Sequence, residues 1–370
     1  MAGVCLITTV SAVAAPGPVR VVPAAPIAGR MGALAFWTGT EMIVYGGGTY
    51  TRPTGAMREF NDGAAYDPAR NRWRRLATIP FGVRYGMATV WTGRHLFAWG
   101  GADDIDGRHP SPDGALYDPR TDRWTPLPPA PIGRVRASAT WTGTEVVVYG
   151  GYDVATGPGR QRADGAAYDP ATRTWRTLPR APLPPFYEHT AVWTGKEFQV
   201  FTGGPRGHAL AGAAYDGSAW RALPRSPLAK GWADRAIWWR DRVLLISPYP
   251  ERIDGGRVRP YRRPLAPTGA FVPATGRWER LPLAPRTPAG WGPAVWTGDA
   301  VAFWTGGPRG GRAYLPAERR WIALPAHRGV AREAYASVWT GKEIIVWGGK
   351  KAGEELIPGY ADGVALTPDR

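Results

Sequence analysis

Trp37-Thr38-Gly39 runs into Glu41-Met42-Ile43-Val44-Tyr45 and then Gly46-Gly47, and the phrase recurs along the chain. Copies stand at Trp91-Thr92-Gly93, Trp141-Thr142-Gly143, Trp193-Thr194-Gly195, Trp296-Thr297-Gly298 and Trp339-Thr340-Gly341, with a worn copy at Trp239-Arg240-Asp241. Seven copies spaced 43 to 57 residues apart constrain the fold more tightly than composition does. Self-similarity at such a period means one small unit used repeatedly, each copy burying its apolar face on the next. The repeat runs from about Arg30 to the end of a 370-residue chain, which leaves no room for a second domain. The expected organisation is a short leader over residues 1–15 and one repeat domain over 16–370.

The third copy gives the internal grammar most cleanly. Arg134 to Trp141 is predicted as a first strand, and Thr142-Gly143 turns it, glycine tolerating the positive φ of a tight hairpin. Glu145-Val146-Val147-Val148-Tyr149 is a β-branched second strand that ends at Gly150-Gly151. After a variable loop, Gly165-Ala166-Ala167-Tyr168 is the third strand, Asp169-Pro170 opens a type I turn, and Trp175-Arg176-Thr177-Leu178 is the fourth. The prolines of Pro179-Arg180-Ala181-Pro182 then lead to the next unit, lacking the N–H that would extend a ladder. Glycine and proline are abundant, 49 and 38, but they punctuate strands at fixed places. The last unit reaches Leu366-Thr367-Pro368 without a fourth strand. Val19 to Pro26, similar to the Leu-Pro-x-x-Pro endings of the other units, is placed to supply it and so remove the free sheet edges.

Gly-Gly after strand two, Tyr-Asp-Pro after strand three and the spaced tryptophans together resemble the kelch repeat, over about Val19 to Arg370. The resemblance implies an all-β, seven-bladed kelch-type β-propeller with four-stranded blades, similar to the central propeller of galactose oxidase. It leaves function open, since kelch-like propellers include copper radical oxidases, sialic acid mutarotases, plant specifier proteins and protein-binding modules. The oxidases need a Cys cross-linked to a Tyr, and the only cysteine here is Cys5, outside the repeats. The specifier proteins need an Asp four residues before a His, which none of His95, His109, His189, His208 and His327 has. No metal and no cofactor is expected: Asp103, Asp104 and Asp106 have the spacing of an acidic cation loop but lack its further ligands.

The formal charge is +16, and only five of the 46 basic residues are lysine. Either the surface attracts polyanions or the arginine excess is the imprint of a GC-rich genome. The arginines are scattered through every repeat and no nucleic-acid module is visible, so no nucleic-acid partner is expected. Val4 to Ala14 is apolar but shorter than the roughly 20 residues of a membrane span. Ala12-Val13-Ala14 offers a small-x-small cleavage site, pointing to an exported, secreted or periplasmic monomer; the missing basic start leaves a cytoplasmic protein with a disordered tail as the alternative.

Strand alternation places the turns between strands one and two and between three and four at one end of the ring. The longer, variable connections share the other end, where a site is expected at the mouth of the channel. Arg30, Arg84, Arg134 and Arg332 recur seven residues before the Trp, which points to a structural role in hydrogen bonding between blades. The residue five before each Trp samples one ring level: Gly32, Gly86, Arg136, Glu188, Asp234, Trp291 and Ala334. The next position brings His189, Arg235 and Tyr335, and blades three to five thereby gather polar residues that identical structural units do not need. A proton-transfer or epimerase-like site would use Glu188, His189 and Asp234 as acid and base. Arg136, Arg235, Tyr187, Trp232, Trp291, Glu333 and Tyr335 would hold a polar, anionic carbohydrate or other small ligand. The competing reading is that these groups are buried pairs that satisfy one another, in which case the loop end is a non-enzymatic scaffold for a protein or a cell-wall polymer.

Overall fold

A computed structural model describes residues 19–368 apart from 52–55, 104–108, 154–159, 186–188, 203–209, 228–234, 247–250, 255–256, 261–267, 284, 286–291 and 355–357. For residues 51, 56, 57, 160, 251–254 and 257–260 the backbone alone is described. Every regular element among the described residues is a strand, and seven antiparallel four-stranded sheets form the blades of a propeller. Blade 1 comprises Leu34–Trp37, Met42–Tyr45, Gly63–Asp67 and Arg72–Arg75, in that spatial order. Blades 2 to 6 begin at Tyr85–Trp91, Ser138–Trp141, His189–Trp193, Arg235–Trp239 and Val295–Trp296. Blade 7 joins Ala336–Trp339, Ile344–Trp347 and Gly363–Leu366 to Val19–Val22, paired Val19↔Leu366 to Val22↔Gly363. The first strands of successive blades pack on one another and form the inner wall.

The second strand of each blade is the most apolar and the most buried, as Met42–Tyr45 and Val146–Tyr149 illustrate. The core lies between blades, since each second and third strand packs its outer face on the neighbouring sheet. At the seam Val22 and Trp347 of blade 7 meet Met42, Val44 and Tyr66 of blade 1. The fourth-strand Trp fastens this packing. Its indole N–H donates to the carbonyl that follows the preceding blade's last strand: Trp73 to Pro23 at 2.9 Å, Trp175 to Pro128 at 2.9 Å and Trp220 to Pro179 at 2.8 Å. Trp278 and Trp321 do the same to Pro224 and Pro282. Proline there serves two purposes, ending the ladder and leaving a carbonyl for the next blade.

At the turn end a second regularity appears. The residue that follows the Trp-Thr-Gly turn is often Glu, and it takes a forked pair of hydrogen bonds from the arginine after the fourth-strand Trp. Glu41 with Arg74 and Glu145 with Arg176 each show 2.7 and 2.9 Å contacts, and Arg20 reaches Glu343 across the seam in the same way. Blade 5 reverses the charges, with Arg242 on strand two and Glu279 on strand four. Blade 6 has Ala300 and Ile322 at these places.

Two expectations need adjustment. The first strand of blade 3 begins at Ser138 instead of Arg134, the pairing being interrupted around Arg136, which takes a left-handed φ of 55°. The variable connections are also more regular than loops, with two-stranded ladders at Gly48–Thr51 with Ala56–Glu59, Tyr152–Asp153 with Arg160–Gln161, and Glu251–Asp254 with Arg257–Pro260. No helix of the described residues is long and apolar enough to cross a membrane.

Candidate functional site

In blades 1, 2, 3 and 7 the loop end is built on the two glycines that close the second strand. In blade 1 the first, Gly46, donates its N–H to the Asp62 carbonyl, and the second, Gly47, has no space for a Cβ because the Met31 carbonyl oxygen would lie 2.6 Å away. Both have positive φ. The second position of this sharp turn therefore has room for glycine alone. The recurring arginine fills the remaining space. Arg30, fully buried, donates to the Gly46 carbonyl at 3.1 Å and to the Asp62 carboxylate at 2.7 Å, with its guanidinium 4.1 Å from the Phe60 ring centre. Burial pushes its pKa down, and Asp62 opposes that shift.

Arg332 repeats the arrangement on Gly348, Asp362 and Tyr360, and Arg134 on Asp164. Arg84 holds Asp113 more loosely, at 3.5 Å. The side chain thus acts within its own blade, which corrects the expectation of bonding between blades. It is the arginine's backbone carbonyl that crosses, accepting the second glycine's N–H of the preceding blade: Gly101 to Arg134 and Gly349 to Arg30, both 2.8 Å. Sequence reasoning saw the arginines but missed their carboxylates. The signal was present, since Asp62, Asp113, Asp164 and Asp362 each stand immediately before the third-strand glycine of the same four blades. In blades 4 to 6 both partners change together, to Phe186 and Ala211, Trp232 and Pro267, and Ala289 and Gly310.

The ring level five residues before the Trp is a real one in the described blades. Gly32, Gly86, Arg136 and Ala334 all have left-handed φ, and the Arg136 N–H donates to the Gly86 carbonyl as the Gly32 N–H does to Ala334, both at 2.7 Å. Backbone hydrogen bonds at this level thus join blade 7 to blade 1 and blade 2 to blade 3.

The residues singled out at that level fare differently. Glu188, Asp234, Tyr187, Trp232 and Trp291 lie outside the described residues. His189, at the start of blade 4, reaches back to blade 3: its Nε2 is 2.9 Å from Ser138 Oγ, its ring stands edge-on to Tyr149, and it covers Gly150. Arg136 is exposed, lies over the Tyr85 ring at 5.1 Å and donates to the Tyr85 hydroxyl. Glu333 is paired with Lys350 at 2.7 Å, both side chains only 14% exposed. Tyr335 is a core residue, 4% exposed, packed where any side chain at Gly292 would strike its ring. Arg235 is exposed at the start of blade 5. Among the described residues the structure therefore joins Arg136 to blade 2 and His189 to blade 3, and it does not bring Glu333 or Tyr335 to them. No group of three or more His, Cys, Asp or Glu suited to hold a metal occurs among the described residues.

A family model described as the KLHDC2/KLHL20/DRC7 Kelch-repeats domain matches residues 19–204. Kelch-like protein terF of Aspergillus terreus is 29% identical over 126 residues, 32% of this chain and 27% of the relative. Kelch-like protein 25 of Xenopus tropicalis is 31% identical over 118 residues, 32% of this chain and 18% of the relative. An F-box/kelch-repeat protein of Arabidopsis thaliana is 30% identical over 112 residues, 30% of this chain and 27% of the relative. The aligned part is thus little more than a quarter of each relative's length at most.

Proposed function

Because the chain belongs to the Kelch-repeat family, we propose that it serves as a non-catalytic scaffold whose loop end holds a protein partner. One observation carries this reading: three of the polar side chains singled out at the inner wall are bonded within the ring, Arg136 to Tyr85 and His189 to Ser138 of the preceding blades and Glu333 to Lys350 of its own blade. A general acid or base must face its substrate within hydrogen-bonding reach. The ladders that rise from the variable connections supply backbone edges and varied side chains, which suit an extended protein segment.

The test is capture by the immobilised full chain, with bound proteins and glycans both quantified. Arg58→Glu with Arg328→Glu alters two exposed loop-end positions, and Arg70→Glu with Arg120→Glu alters two at the turn end. The first pair should release the bound protein and the second should not. Release by the turn-end pair alone, or retention of a cell-wall polymer in place of protein, overturns the reading.

The second reading is an anionic carbohydrate at the channel mouth, and the exposure of both Arg136 and Arg235 favours it. Glu188 or His189 would then act as the base. If Glu188→Gln and His189→Ala leave mutarotation and glycan binding unchanged, that reading is lost.

A further inference from the structure

The worn copy of the repeat, Trp239-Arg240-Asp241, shapes the turn end in a way the intact copies do not. In blade 1 four residues separate the paired Trp37 and Met42, and Thr38 Oγ1 caps them by accepting the Glu41 N–H at 2.9 Å. In blade 5 Trp239 pairs directly with Arg242, so the hairpin is two residues shorter and Arg240 takes a left-handed φ of 57°. The missing cap leaves a groove of about 450 Å³ between blades 5 and 6. Its floor is Trp239, Leu244 and Leu281, and Arg240, Arg242 and Arg319 surround it.

Under the same groove lies an unanswered hydroxyl. The third-strand tyrosine usually donates to an acceptor in the following turn: Tyr66 to Asn71 at 2.5 Å, Tyr117 to the Asp122 carboxylate at 2.6 Å, and Tyr215 to the Gly217 carbonyl at 2.7 Å. In blade 6 the position that Asn71 and Asp122 occupy is Arg319, in the same left-handed backbone conformation. Tyr314, fully buried and lining the groove, has no hydrogen-bond partner for its hydroxyl among the described residues. A buried hydroxyl without an acceptor is unfavourable. Here the acceptor has been exchanged for a cation.

The charges around it are uneven. Arg242 is held by Asp241 and Glu279, each at 2.9 Å, and Arg319 touches Glu279 at 3.2 Å. Arg240 lies over the Trp239 ring at 4.6 Å and makes no ion pair among the described residues. Three guanidiniums therefore face two carboxylates, with the free one at the rim.

We propose that this groove binds a small organic carboxylate, its carboxylate set between Arg240, Arg319 and the Tyr314 hydroxyl and its apolar body on Trp239, Leu244 and Leu281. The ligand supplies the acceptor that Asp122 provides covalently in blade 2. A planar carboxylate suits the guanidinium fork, and a groove of this volume takes a single small molecule.

The probe is 4-fluorobenzoate, titrated against the full chain by fluorine NMR at constant ionic strength, with inorganic phosphate in a parallel arm. Saturable benzoate binding is expected. Arg240→Ala, Arg319→Ala and Tyr314→Phe should each weaken it roughly tenfold, the loss that follows removal of one charged or buried hydrogen bond. Arg319→Asn should also raise the melting temperature without ligand, because it restores the acceptor. Tyr168→Phe is the control: Tyr168 is an equally orphaned tyrosine, followed by Arg173 tied to the Pro126 carbonyl as Arg319 is to the Arg280 carbonyl, but it lies in blade 3 and does not line this groove, so binding should not change. Absence of saturable benzoate binding, binding untouched by the Arg240 and Arg319 changes in folded protein, or binding of phosphate in its place overturns the proposal.

Discussion

Arg30 and Arg84 occupy one position in two blades, yet the same loss should cost them differently. Arg30 is shut in completely and its carboxylate partner lies at 2.7 Å. Asp62→Ala leaves that cation buried with carbonyls alone, at a cost of about 3 kcal/mol. Arg84 meets Asp113 only at 3.5 Å, with the aspartate side chain 56% exposed, so Asp113→Ala should cost no more than about 1 kcal/mol. Urea denaturation of the two variants decides it, and equal losses would show that burial is not what gives the clamp its worth. This level was half legible. A residue type repeating at one offset from a Trp is visible in a string of letters, whereas its partner, some thirty residues on across a variable loop, is found only by asking what neutralises each arginine.

At the scale of the element, the turns between strands three and four are fixed by side chains as much as by backbone. Asp216 accepts the N–H groups of Ser218 and Ala219, and these bonds pull its pKa down to about 2. Asp67, Asp118 and Asp169 take equivalent bonds, and their pKa values are lowered too, Asp67 chiefly by Arg70 and Asp169 chiefly by the Ala171 N–H. Because each folded value lies below the ordinary carboxylate value, the stabilisation is complete above about pH 4 and is lost as the pH falls through the folded values. The melting temperature should accordingly hold between pH 7 and 5 and drop between 4 and 2, and Asp216→Asn should blunt the drop. A profile that falls equally for wild type and variant would remove Asp216 from the explanation.

The elements themselves were readable because the punctuation recurs: Trp before the turn in every blade, and in blades 1 to 3 Gly-Gly after the second strand and Asp-Pro after the third. Variation is harder to read. The polar cluster of blades three to five is a departure from the pattern, of which Arg136 and His189 are bonded to blades 2 and 3 while Glu188 and Asp234 lie outside the described residues. The shortened hairpin at Trp239 is also a departure, yet it looked like decay of the motif. Two absent residues leave no side chain to notice, and the groove they open is defined by blade 6, eighty residues further on.

For the whole molecule, the seam decides whether the ring is a ring. Val19–Val22 completes blade 7, Arg20 grips Glu343, and the Pro23 carbonyl takes the Trp73 indole N–H. Deleting residues 19–26 strips Gly363–Leu366 of its hydrogen-bonded neighbour and opens a sheet edge on blade 7. The truncated chain should melt well below the intact protein and in a broader transition, while removal of residues 1–15 should leave the curve in place. Calorimetry of the two truncations is the measurement; an unchanged transition after the longer deletion would mean that the ring does not depend on its closure. The molecule is also uneven around its circumference. The arginine clamp is present in blades 7, 1, 2 and 3, and the family match runs from the closing strand into blade 4. Blades 4 to 6 share the architecture without the clamp.

The seam has a further consequence, in time. Arg20 and Glu343 are 323 residues apart in sequence. At synthesis rates of about 5–20 residues per second, the first strand waits on the order of tens of seconds for the partner it must meet. Throughout that interval the nascent chain carries an apolar strand with no sheet to join and a row of blades with an open end. The cell must shield both, so the vulnerable stage of this protein's life precedes its release from the ribosome.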